Sequence, residues 1–161
     1  MATRSAIGYI NLDGTVTGTY CHWDGYPEYN GAVLDQSYTN TDKIKQLIAG
    51  GEISSLDDEI GEKHPFSKFG AGMSEEEYVQ AKANYTTYYH RDRGEEWDRV
   101  KPQTFAGVPE FIDHFDPCGC EYYYIWNGRE WLVNKYNERD LMEFPIMDRV
   151  EDVLEQRKDL A

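Results

Sequence analysis

The sequence predicts an α+β fold: an antiparallel sheet of about five strands, with roughly four or five helices mainly on one face. Three observations lead there. Asp13-Gly14 and Asn127-Gly128 each separate two β-favouring segments, which is the signature of a hairpin. TTYYHR, from Thr86 to Arg91, supplies one further strand. Between these pieces, apolar residues recur at helical spacing.

Ser5 to Leu12 is the first expected strand and Thr15 to Trp23 the second. A two-residue turn sets Ile7 opposite Tyr20, Tyr9 opposite Gly18 and Ile10 opposite Thr17. In that ribbon His22 shares a face with Tyr20, while Cys21 and Trp23 point to the other. Asn30 or Gly31 caps a short helix bearing Val33, Leu34 and Tyr38. A second helix starts at Thr41, aligns Ile44, Leu47 and Ile48, and stops at Gly50-Gly51. Glu52 to Lys63 is acidic, and His64 to Met73 reads as loop.

Ser74-Glu75-Glu76-Glu77 fits a capping box, opening a helix with Tyr78, Ala81 and Tyr85. Asp92 to Gln103 is charged and irregular, and Phe105 to Phe115 is a candidate helix with Pro109 near its first turn. In the second hairpin a two-residue turn pairs Tyr124 with Trp131, Tyr122 with Val133 and Tyr123 with Leu132. Pro145 opens a last helix carrying Ile146, Val150, Val153 and Leu154. With no linker or repeat, residues 1–161 read as a single domain.

Charge narrows the function. The chain carries 30 acidic and 16 basic residues, a net charge of -14. Nucleic-acid phosphates need basic partners, so direct nucleic-acid binding is not expected. No apolar run suits a signal peptide or membrane span, and no membrane association is expected. Three cysteines, an odd number, suit reduced thiols in the cytoplasm. No cofactor motif is present, and Cys118-Gly-Cys120 lacks the second ligand pair of a zinc site, so neither cofactor nor metal is expected.

Two segments hold the candidate ligand-binding residues. CHWDGYPEYNG contributes His22, Trp23, Asp24, Tyr26 and Tyr29 at a strand end, where sites sit on loops held by a scaffold. Cys21 and His22 point to opposite faces, which argues against a Cys-His dyad. YYHRDRGEEWDR contributes His90, Arg91, Asp92, Arg93 and Glu95. Arginine forks grip phosphate or carboxylate, so Arg91 or Arg93 facing the Trp23 loop would hold an anionic ligand between them.

The chain resembles a family of small uncharacterised proteins of tailed bacteriophages, prophages and other mobile elements. The pieces that carry the resemblance are TRSAIGYINLDGTVTGTYCHWDGYPEYNG, KIKQLIAGGEISSL, GEKH, YYHRDRGE and YYIWNGREWLV, in that order. The stretch Lys68 to Lys82 and the end after Glu143 are less typical of it. The resemblance implies an accessory protein acting in the bacterial host cytoplasm, and attaches no activity to any residue. The leading expectation is a non-catalytic protein that binds a host defence or metabolic component. One alternative is a small enzyme or a capture pocket for a phosphorylated or nucleotide metabolite, using His22, Asp24, His90, Arg91 and Arg93. A second is an acidic nucleic-acid mimic, a pattern that Arg139, Arg149 and Arg157 dilute.

Overall fold

The computed structural model describes residues 2–63, 76, 84–135 and 147–159. It corrects the expected fold class. The sheet is a single mixed one of eight strands, with both parallel and antiparallel pairs, and five α-helices lie among the described residues. The strands are β1 (Arg4–Ile10), β2 (Val16–Cys21), β3 (Ile53–Ser55), β4 (Thr87–Tyr88), β5 (Gln103–Phe105), β6 (Cys120–Trp126), β7 (Trp131–Lys135) and β8 (Asp148–Arg149). The helices are α1 (Ala32–Ser37), α2 (Thr41–Ala49), α3 (Trp97–Val100), α4 (Val108–Phe115) and α5 (Val150–Asp159). The sheet order is β4-β3-β2-β1-β6-β7-β8, with β5 also paired to β2.

The correction has two physical causes. First, the two hairpins join through a parallel β1–β6 pair, Ala6 beside Tyr123 and Gly8 beside Ile125. Parallel partners are far apart in sequence, so no turn announces them. Second, β3, β4, β5 and β8 are two or three residues long, too short to show alternation. The expected strand over Thr86 to Arg91 is cut to Thr87–Tyr88, because the chain then coils through hydrogen bonds from Asp92 N to Tyr88 O and from Gly94 N to His90 O. The stretch from Asp92 to Gln103 holds α3 and the start of β5 rather than irregular chain.

Both hairpins form, with other registers than expected. The first closes through Leu12, Asp13 and Gly14: Asn11 N donates to Thr15 O at 2.8 Å, Gly14 N to Asn11 O at 2.9 Å, and Gly14 takes φ +91°. This loop is one residue longer than a two-residue turn, and Asp13 Oδ1 holds it by accepting from Thr15 N and Thr15 Oγ1. Ile7 therefore faces Thr19, Tyr9 faces Thr17 and Gly8 faces Gly18. In the second hairpin Asn127 Oδ1 accepts from both Arg129 N and Glu130 N at 2.9 Å, so the turn spans Asn127 to Glu130. Tyr124 pairs with Val133 and Trp126 with Trp131, a shift of two residues that keeps each side chain on its face.

Each face of the sheet has its own core. On one, Ile7, Cys21, Tyr124 and Trp131 pack with Leu34 of α1, Ile44, Leu47 and Ile48 of α2, and Val150 and Val153 of α5. The indoles of Trp126 and Trp131 reach Thr41 Oγ1 and Tyr38 O, so buried polar tips find partners. On the other face, Ala6, Val16, Tyr123 and Ile125 pack against Phe111, Ile112 and Phe115 of α4.

Asn40 caps α2 by accepting from Asp42 N and Lys43 N. A π-helical turn, Pro27–Gly31, precedes α1; of the two expected caps Gly31 takes the N-cap position, and Asn30 braces the corner. The expected His64 to Met73 loop, Ser74, Tyr78 and Ala81 of the capping-box helix, and the Pro145-Ile146 start of the last helix lie outside the described residues; Glu76, within that expected capping-box helix, is helical, and Tyr85 pairs with Glu59 in an isolated bridge. Among the described residues no helix is long and apolar enough to cross a membrane.

Candidate functional site

β3 is the strand on which the two candidate segments meet. On one side His22 N and Trp23 N donate to Ile53 O and Ser54 O at 2.9 and 3.0 Å. On the other, Tyr89 N donates to Glu52 O at 3.1 Å, and Arg93 Nη1 reaches Ser54 Oγ at 3.5 Å. The CHWDGYPEYNG corner and the Tyr89–Glu95 turns therefore form one rim at the end of the sheet.

The corner is held from beneath. Gly25 N donates to Thr3 O, and the buried Tyr124 hydroxyl donates to Gly25 O at 2.6 Å. Asp24 sits at φ +57°, a left-handed conformation that Asp tolerates, and its carboxylate accepts from the Tyr26 hydroxyl at 3.2 Å. Asn30 Nδ2 donates to Trp23 O, and the Tyr29 hydroxyl donates to Leu56 O. These bonds leave Trp23 and Tyr26 44% and 36% exposed.

Cys21 and His22 do take opposite faces. Cys21 lies in the helix-covered core, where burial pushes its thiol up to about 12, so it is no thiolate nucleophile at neutral pH. His22 bonds through Nδ1 to the Tyr20 hydroxyl at 2.8 Å and stands edge-on to Trp23. Burial, followed by the charges of Arg4 and Arg93, depresses the His22 pKa. Its neutral form is thus favoured in the fold, so its contribution to stability is present above the unfolded-state pKa and is lost as pH falls through the lower folded value. An NMR titration is expected to place the His22 midpoint below 6.5, the usual histidine value. Arg93→Gln should raise that midpoint, and an unmoved one would remove Arg93 from the vicinity of the ring.

The two central arginines of the second segment divide their work. Arg91 uses all five donors: Nε to Asp92 Oδ1 at 3.1 Å, Nη1 to Ile60 O and Gly61 O at 2.9 Å, and Nη2 to Thr86 O at 2.7 Å and Asp92 Oδ2 at 3.1 Å. Its guanidinium also covers the Tyr88 ring at 4.7 Å. Asp92, with a fully buried side chain, further accepts from Tyr88 N at 2.7 Å. This pair is a clip that fixes the turns, with no N–H left over for a ligand. Arg93 is exposed and lies over Tyr89 at 5.7 Å. His90 bonds Glu95 O through Nδ1 at 2.7 Å and leans on Trp97, which is 39% exposed. The Glu95 side chain faces solvent.

The structure thus brings His22, Trp23, Arg93, Tyr89 and the base of the Tyr26 corner to one rim, and assigns Arg91 and Asp92 to holding it. Tyr89, beneath Arg93, and Trp97, against His90, were missed, although both are aromatics within the arginine run. Arg149, on the acidic C-terminal stretch, pairs with Asp152 at 2.8 Å, so that stretch is not a stripe of one sign. Among the described residues, no group of three or more His, Cys, Asp or Glu side chains is placed to hold a metal ion.

Comparison with protein-family models, with curated proteins and with solved structures finds no match.

Proposed function

We propose that the chain is a non-catalytic accessory protein of a phage or related mobile element, which binds a host defence or metabolic protein through this rim in the bacterial cytoplasm. The observation that carries the reading is exposed Trp23 and Tyr26 on the corner after β2, facing across β3 the turns that lay Arg93 over Tyr89 and His90 against exposed Trp97, with the Arg91 clip fixing those turns. Trp, Tyr and Arg are the residues enriched where interface energy concentrates, and a rigid frame lowers the entropy lost on binding. The net charge of -14 favours a partner with a basic surface, by steering its approach. The mobile-element context rests on the motif resemblance.

The metabolite-capture alternative has less support, since Arg91 donors are already taken up by the fold. The test compares cross-linked capture from host lysate by the wild type, by Trp23→Ala/Tyr26→Ala and by Trp97→Ala. One protein retained by the wild type and lost at least about tenfold by the variants is expected, the effect of removing an interface anchor. Recovery of nothing, or equal recovery by all three, would sink the proposal.

A further inference from the structure

The outer edge of β2 is shared by two short strands that leave a gap. β5 pairs with Val16 to Gly18, and β3 pairs with Cys21. Between them, beside Thr19 and Tyr20, opens a cleft of about 200 Å³. Tyr20 and Phe115 give it aromatic walls, and α3, β5 and the end of α4 bring Arg99, Lys101, Gln103 and His114 to it. In a chain of net charge -14, two cations and an imidazole around one small cleft are a local reversal of sign.

One carboxyl group breaks that pattern. Glu52, at the foot of β3, lines the same cleft. Burial and then the nearby Glu95 push its pKa up, and no cation in the cleft offsets this. Among the described residues neither Glu52 nor Arg99 forms a side-chain hydrogen bond or ion pair, whereas Lys101 is near Asp98 at 3.6 Å. An acid and a base that line one cleft would gain by pairing if they reached each other. They do not: Glu52 is half-buried and Arg99 is exposed, and both line the cleft without a side-chain partner among the described residues.

We infer that this cleft binds a compact zwitterion of amino-acid type, with its carboxylate on Arg99 and its ammonium on Glu52. A guanidinium fork takes a carboxylate through two parallel hydrogen bonds, and an ammonium supplies the donors that a half-buried carboxylate lacks. The volume is below the roughly 300–1,000 Å³ of drug-sized sites, which suits a single amino acid and excludes a nucleotide. Tyr20 and Phe115 present apolar surface for the ligand side chain. The rim proposed to bind a partner protein lies outside this cleft, so either reading can fail alone.

The test is calorimetric titration of the full chain with each of the twenty amino acids, with acetate, inorganic phosphate and methylamine as probes of one charge sign. At least one amino acid is expected to bind saturably, and the one-sign probes at least tenfold more weakly. Arg99→Gln and Glu52→Gln should each weaken that binding tenfold or more, with the circular dichroism spectrum and Trp23 rim capture unchanged. No binding by any amino acid up to millimolar concentration overturns the inference. So does equal binding of acetate or phosphate, or binding that both substitutions leave intact.

Discussion

Arg91→Ala is expected to destabilise the protein by about 3–5 kcal/mol, the range for removing one partner of a buried ion pair. The substitution takes the cation from the buried Asp92 carboxylate, and a donor from each of the Ile60, Gly61 and Thr86 carbonyls. Arg91→Lys should rescue little, because an ammonium on a flexible stem cannot satisfy three separate directions. With about 2–4 °C of melting temperature per kcal/mol for a chain of this size, the loss should reach roughly 10 °C. Arg93→Gln, one turn on and exposed, should change stability by less than about 0.5 kcal/mol. Calorimetry or urea unfolding that finds the two variants alike would refute the division of labour between these arginines.

The second large effect belongs to the opposite face. Phe111 of α4 is fully buried and meets Phe105, Phe115 and Tyr123 edge-on. It stands on a slot made by the cross-strand pair Gly8 and Gly18. A Cβ at Gly18 would lie 2.3 Å from Phe111 Cε2, and one at Gly8 would lie 3.2 Å from the same atom. Phe111→Ala is expected to cost about 3–5 kcal/mol, from lost burial and the cavity left behind. Gly18→Ala alone should cost about 1–3 kcal/mol through overpacking. In the Phe111→Ala background the Gly18→Ala cost should shrink, although a contact of 2.9 Å to Ile7 O remains. Strictly additive losses in this double-mutant cycle would show that the ring and the glycine slot do not meet.

The two hairpins show what local sequence conveys and where it stops. Asp-Gly and Asn-Gly mark turns because both residues accept the required backbone. Loop length is set by side-chain bonds that the dipeptide does not encode, those of Asp13 with Thr15 and of Asn127 with Arg129 and Glu130. A one-residue error in the first hairpin moved Tyr20 from Ile7 to Ala6, onto the other face, while a two-residue error in the second left the faces intact. α2 was legible because its apolar stripe and terminal glycines agree.

The candidate site divides in the same way. The segments meeting at β3 were visible as unusual clusters, yet Arg91 and Arg93 differ only in where tight turns point them. Glu52, Arg99, Lys101 and His114 carry no shared spacing, since separate elements bring them to one cleft.

The parallel join of β1 to β6 governs when this protein can fold. Arg4 Nη1 donates to Cys118 O across 114 residues of chain, and the β1–β6 ladder ties residues at comparable separation. Each hairpin can close by itself within microseconds, but their union must first close that long loop. The first hairpin must therefore wait on the ribosome for most of the chain to emerge. At a synthesis rate of about 5–20 residues per second, that wait lasts several seconds, with the Ala6 and Val16 face of the hairpin, which α4 later covers, still bare.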